Sequence, residues 1–416
     1  MTNPKLALIP SGYKATKVYS ILPSDGGGDF TFDRANGYAS RVREDGLIEE
    51  VSNDTPRLDW LNSDCPSLLL EPQRLNRQVY SEQIDNAVWS KVSTTVTANQ
   101  IVSPSGEYNA DKVQRTSTSA NYVTDSASKS ASAELDITTS MFVKKGEGDF
   151  FAIRQQGAYP NRGEIKYQFS TNTITTSVAG SDFTVVGSSV EDYGNGWVRL
   201  SATFNTDAHS TVATLFSPRA TDGTVDASDT SDSAYAYVWG VQVEEGSFST
   251  SYIKTEGTTT RFAETCTDAG DATIFNDEEG VLYAEISALH DSGHHFISVN
   301  NSNISNRITI ELYPNTGTLV SRLTTNGVQK AFLVATNIVK TNMNKIAVRY
   351  YLNDFSLWVN GNKISEDLTD VPVPIGLNSL DFKQGNNSGY FYGKCKDLRY
   401  YDTALTDTEL TELTTL

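Results

Sequence analysis

The chain has 416 residues, 38% hydrophobic and 20% charged, with a formal net charge of −18. That length exceeds one ordinary core and implies two or three domains. The charge argues against binding to nucleic acid or anionic lipid, because that affinity draws on Lys and Arg. Ser, Thr, Asn and Gly make up the hydrophobic shortfall beside 20 Tyr, 17 Phe and only 3 Met, a mixture that suits twisted sheets and turns. The composition is that of an all-β protein.

In chain order, residues 1–75 are irregular, punctuated by Pro4, Pro10, Pro23, Gly26-Gly27-Gly28, Pro56, Pro66 and Pro72. Short alternations such as Asp29-Phe30-Thr31-Phe32 predict isolated strands without a core of their own, so the segment is expected to order against a neighbouring surface. Residues 76–262 read as many short strands. Trp197 to Phe204 and Tyr235 to Val243 alternate apolar with small or polar residues, the period-two signature of a half-buried strand. Asp192-Tyr193-Gly194-Asn195-Gly196 is turn chemistry ahead of Trp197. A Thr-, Asp- and Glu-rich linker is expected over residues 258–271. Residues 263–416 repeat the β pattern at Gly280 to Ile286, Arg307 to Tyr313 and Asn344 to Tyr350. Asn360-Gly361 predicts a tight hairpin, and Thr406 with Glu409 predicts a capped terminal helix. Three domains follow: an extended attachment segment (1–75) and two antiparallel jelly-roll β-sandwiches (76–262 and 263–416).

Cys65, Cys266 and Cys395 are odd in number and widely spaced, which gives neither a disulfide framework nor a zinc pattern. The opening residues lack the basic-then-apolar order of an export signal, and no apolar run approaches the roughly 20 residues of a membrane span.

Residues 346–350, 357–362 and the closing run from Tyr392 to Leu410, with its Tyr401-Asp402-Thr403-Ala404-Leu405-Thr406 turn, resemble concanavalin A-like (laminin G-type) jelly rolls. Pro56-Arg57-Leu58-Asp59-Trp60, residues 66–76, and Tyr80-Ser81-Glu82 through Trp89-Ser90-Lys91 resemble the front of phage fibre and surface proteins. Gly194-Asn195-Gly196-Trp197 and residues 239–253 continue that likeness. The middle module is similar to carbohydrate-binding-module jelly rolls. The resemblance implies a phage virion structural protein, a tail fibre, spike or head decoration, that displays lectin-like modules for adhesion to host-surface glycans. It would contact other virion proteins through residues 1–75, form a homo-oligomer (a trimer by family likeness) and sit on the particle surface after assembly in host cytoplasm. A secreted carbohydrate-binding protein and a polysaccharide depolymerase are the alternatives. Such domains serve equally as lectins and as spacers.

No catalytic constellation is legible. Glycan cleavage needs two carboxylates about 5 Å or roughly 6.5–9.5 Å apart, and no alternating Glu-x-Asp-x-x-Glu strand occurs. His290, Asp291, His294 and His295 could hold a metal, but the Gly turn within that stretch favours an exposed loop. Sugar recognition needs an aromatic face and amide or carboxylate partners. The candidates are Tyr159 beside Asn161 and Arg162, Tyr313 beside Asn315, and Tyr390 beside Asn386 and Asn387. Trp197, Trp239 and Trp358 read as core. No cofactor is required; a structural Ca²⁺, common in these sandwiches, would draw on Glu82, Asp85 and Asp111.

Overall fold

Alternation along Trp197–Thr206 sends Leu200, Ala202 and Phe204 to the interior, and Arg199, Ser201 and Thr203 to the opposite face. The same pleat operates through the middle module. The computed structural model describes residues 2–35, 37–128, 135–206, 211–291, 293–314 and 317–416. One middle-module sheet runs Ser90–Val92, Tyr122–Ser128, Thr211–Arg219, Phe150–Gln156, Arg162–Gln168, Thr173–Ala179. The other runs Thr94–Ile101, Ala110–Arg115, Tyr235–Glu245, Leu135–Glu147, Trp197–Thr206, Phe183–Asp192. Their inner faces share a core around Met141, Phe151, Ile153, Phe204 and Phe216. Neighbours distant in sequence mark crossovers between sheets, as in a jelly roll.

The C-terminal sandwich is built the same way. Its five-stranded sheet runs Val328–Ala335, Leu319–Thr325, Arg307–Leu312, His295–Asn300, Ser379–Asp381. The facing eight-stranded sheet contains Asn362–Asp367, Asp354–Val359, Asn344–Tyr351, Glu279–Ala288 and Gly393–Tyr401. Asn360 and Gly361 adopt φ of 50° and 80°, the left-handed pair of the expected two-residue hairpin. The helix Asp407–Thr414 carries the expected Thr406–Glu409 capping box and packs Leu410 and Leu413 against Trp358 and Tyr401. Trp197, Trp239 and Trp358 are buried. Among the described residues no helix is long and apolar enough to cross a membrane.

The opening segment differs from the expectation of an arm that docks on another protein. It has no core of its own, and the surface it lies against belongs to the same chain. Leu6–Leu8 pairs antiparallel with Gly393–Tyr401, Ser67–Leu70 pairs along the same strand, and Arg57–Asp59 adds beyond it. Leu6, Leu8, Phe30, Phe32, Leu68 and Leu70 all belong to the C-terminal core. Without these strands Gly393–Tyr401 would be an open edge. Further on, the hairpin Ser40–Val42 with Ile48–Glu50 puts Val42 and Ile48 onto Phe142, Trp197, Trp239 and Tyr252 of the middle module.

The expected linker is also a packed seam. Thr259–Arg261 pairs with Arg74–Asn76, and Thr265–Thr267 pairs with Phe30–Asp33. Its polar composition reflects a buried ion cluster. Glu264 accepts from Arg34 Nη1 at 2.9 Å, Arg57 Nε at 2.7 Å and the Glu71 amide at 3.0 Å, and contacts Arg57 Nη2 as well. Glu71 lies 2.8 Å from Arg57 and 2.9 Å from Arg261.

Candidate functional site

Period two also governs the outer face of the five-stranded sheet. With Ile308, Ile310 and Leu312 in the core, Arg307, Thr309 and Glu311 must point the other way. They join Phe296, Ser298 and Asn300 from one neighbouring strand and Val320 and Arg322 from the other. Beyond these stands Phe332, opposite Arg322 on the edge strand Val328–Ala335.

Glu311 organises this face. Its carboxylate accepts from Thr309 Oγ1 at 2.7 Å and from Arg322 Nε and Nη2 at 2.9 and 3.1 Å, and it meets His294 Nε2 at 2.9 Å. Burial opposes ionisation of Glu311, but the bonds from His294, Thr309 and Arg322 outweigh it and hold the carboxyl below its usual range. Asp381 is similarly bound, by the Asp268 amide at 2.7 Å, Asn300 Nδ2 at 2.8 Å and Ser379 Oγ at 3.1 Å. Both carboxylates are therefore taken up by protein donors and act as positioning groups.

Above them runs an aromatic ladder. His294 lies 4.1 Å from Phe296 and 4.8 Å from Tyr313, ring centroid to centroid, and Tyr313 stands 6.4 Å from Phe332. Arg322 sits 5.0 Å over the Phe332 ring and also donates to Gln329. Tyr313 is half-buried and Phe332 is 38% exposed, so each keeps ring surface open to solvent while its orientation is fixed from below.

Of the sugar candidates, Tyr313 stands against His294 and Tyr390 is tied to His295 at the same end of this face, whereas Gly385, beside Asn386, lies close to Asn300 and Asn303 at the other end of the strand His295–Asn300. The Tyr390 carbonyl meets His295 Nδ1 at 3.0 Å, and Gly389 lies close against the Phe296 ring. Asn386 and Asn387 are exposed on the same loop, where Asn386 accepts from Ser388. Asn315 lies outside the described residues. Tyr159 is elsewhere, 80% exposed on a middle-module loop with Arg162 at 5.8 Å from its ring. Asn161 beside it braces that loop through Asp182 and the Ser181 amide. Sequence reading missed His294, Arg322, Glu311 and Phe332 as members of the face. The alternation from Arg307 to Leu312 already placed Glu311 there; only strand pairing adds the others.

The three histidines do not converge. His290 stacks on Phe248 at 5.4 Å, while His294 and His295 bond to different partners. Two of the three proposed Ca²⁺ ligands, Asp111 and Glu82, are held by protein donors, while Asp85 contributes its backbone amide to Asp111. Asp111 accepts the Ile84, Asp85 and Asn99 amides at 2.8, 3.2 and 3.0 Å, and Glu82 is held by Tyr252 at 3.1 Å and Lys254 at 2.8 Å. Among the described residues no group of three His, Cys, Asp or Glu is placed to hold a metal.

No protein family and no curated protein matches this sequence. Among solved structures it is similar to the CBM40 module of Ruminococcus gnavus IT-sialidase bound to α2,3-sialyllactose. That match has 20% identity over 36% of this chain and 93% of that one, with a TM-score of 0.30. A leech intramolecular trans-sialidase matches at 20% identity over 34% and 24%, with a TM-score of 0.28. Mouse laminin α1 domains LG4-5 match at 9% identity over 67% and 88%, with a TM-score of 0.24. Likenesses at this level leave ligand and activity open.

Proposed function

We propose that the chain is a glycan-adhesion protein displayed on a phage particle, with the outer face of the C-terminal five-stranded sheet as its sugar platform. The observation that carries this reading is the pair Tyr313 and Phe332, partly exposed and oriented by the bonds around Glu311, beside the polar groups of Arg322 and Gln329. A pyranose offers a C–H face to such rings and hydroxyls to such groups. Rigid aromatic anchors also keep the ordering cost of binding small.

The particle setting rests on the resemblance of residues 56–60, 66–76, 80–91, 194–197 and 239–253 to phage surface proteins. Since the opening segment is folded into the chain's own sandwich, attachment would use the surface of the folded body. Display in several copies, a trimer by the same resemblance, turns weak single-site contacts into useful avidity. Two measurements test the proposal. A glycan array probed with the full chain should give signals that Tyr313→Ala reduces about tenfold, and mass spectrometry of purified particles should find the chain. An unchanged array removes the platform; absence from particles removes the setting.

A further inference from the structure

Between the two sandwiches a cleft of about 300 Å³ opens over the outer face of the middle-module sheet, within the size range of small-molecule sites. Its floor is a row of hydroxyls, Ser189 to Ser201 at 2.8 Å, with Thr203 bonded to Thr138 at 2.6 Å. Its wall is a stack contributed by separate segments: His290 from the C-terminal module lies parallel to Phe248 at 5.4 Å and 11°, with the Arg74 guanidinium 5.1 Å from the same ring. The side chain of Glu191, half-buried at the cleft's inner end, makes no hydrogen bond or ion pair with any described residue. At the outer end the cleft continues past Ser247 to a second hollow lined by Asp136, Asn205 and Glu245.

A half-buried carboxylate without a donor, a hydroxyl floor and a flat aromatic wall together suit a ligand rich in O–H donors with an apolar face. At the outer end Glu245 is paired with Arg77 at 3.0 Å, which leaves Glu191 and Asp136, without an ion-pair partner among the described residues, to disfavour an anion. We infer that this seam is a second saccharide site, which takes a neutral oligosaccharide laid across both modules and does not exist in either module alone. Its Glu191 accepts sugar hydroxyls in charge-assisted bonds, and the Phe248–His290 wall packs the ring face.

Calorimetric titration of the full chain with maltohexaose, cellohexaose and chitohexaose in turn, and with hexagalacturonate as acidic counterpart, tests the assignment. At least one neutral hexamer should bind, and bind tighter than hexagalacturonate. Ser189→Trp, an exposed position whose new ring fills the cleft, and Glu191→Gln should each weaken it about tenfold or more, with melting temperature followed as a check on folding. In the Tyr313→Ala background, which removes the sheet-face site, binding that is sensitive to Ser189→Trp and Glu191→Gln should remain. Absence of binding by every neutral hexamer at millimolar concentration overturns the inference. So does binding that survives Ser189→Trp and Glu191→Gln, and if Tyr313→Ala abolishes that binding, the sugar belongs to the sheet face alone.

Discussion

Glu264→Gln is the sharpest perturbation this structure offers. The native carboxylate is fully buried and bonded to Arg34, to Arg57 through two nitrogens, and to the Glu71 amide. Arg34, Arg57 and Arg261 are balanced by Glu71, Glu244 and Glu264, all buried. Gln keeps one acceptor oxygen but removes the charge, which leaves the seam with excess positive charge and at least two charge-assisted bonds lost. At roughly 1.5–3 kcal/mol per such bond the cost is about 3–6 kcal/mol, in line with the roughly 3–5 kcal/mol for breaking a buried pair. Taking about 4 kcal/mol, and about 2–4 °C per kcal/mol for a cooperative unit of roughly 150–250 residues, the size of one sandwich with the segments packed on it, the melting temperature of that unit should fall by about 8–16 °C. Differential scanning calorimetry of the full chain reads this directly. A fall below about 2 °C would show that the cluster contributes little and that the modules are held by apolar packing alone.

The fragment 263–416 should not fold as a soluble monomer. It lacks Leu6, Leu8, Phe30, Phe32, Leu68 and Leu70, whose burial at roughly 1.5–3 kcal/mol each amounts to about 9–18 kcal/mol, comparable with a domain's whole stability; a cooperative melt from the fragment would refute this. The chain should lose stability as acid is added. Burial disfavours ionised Glu71, but Arg261, Arg57 and Ser251 overcome it and hold the carboxyl well below its usual range. The contribution is therefore complete above the unfolded carboxyl pKa of about 4.3 and is lost as pH falls below it. Melting curves between pH 6 and pH 3, on roughly the scale set by that pKa, should show this limb, and Glu71→Gln should flatten it. Asp111→Asn removes an acceptor from a carboxylate that holds three backbone amides, at a cost of about 1–3 kcal/mol by urea denaturation. Added Ca²⁺ should move the wild-type melting temperature by less than about 1 °C, since an ion there must displace those donors; a larger rise would restore the metal reading.

Much of this architecture was legible in the residues themselves. Period-two runs, turn residues and the Thr406–Glu409 cap depend on neighbours in sequence, and local backbone chemistry decides them. Alternation also reveals that one face of a strand such as Arg307–Leu312 is apolar and the other polar. It does not reveal which distant strand covers the apolar face or what meets the polar one. Hence residues 1–75 read as an arm in search of a partner, when the partner was the strand Gly393–Tyr401 of the same chain. Hence also Arg261 and Glu264 read as solvated linker, because charges go into an interior only where opposite charges from remote segments meet them, and only the tertiary fold brings Arg34, Arg57 and Glu71 to that place.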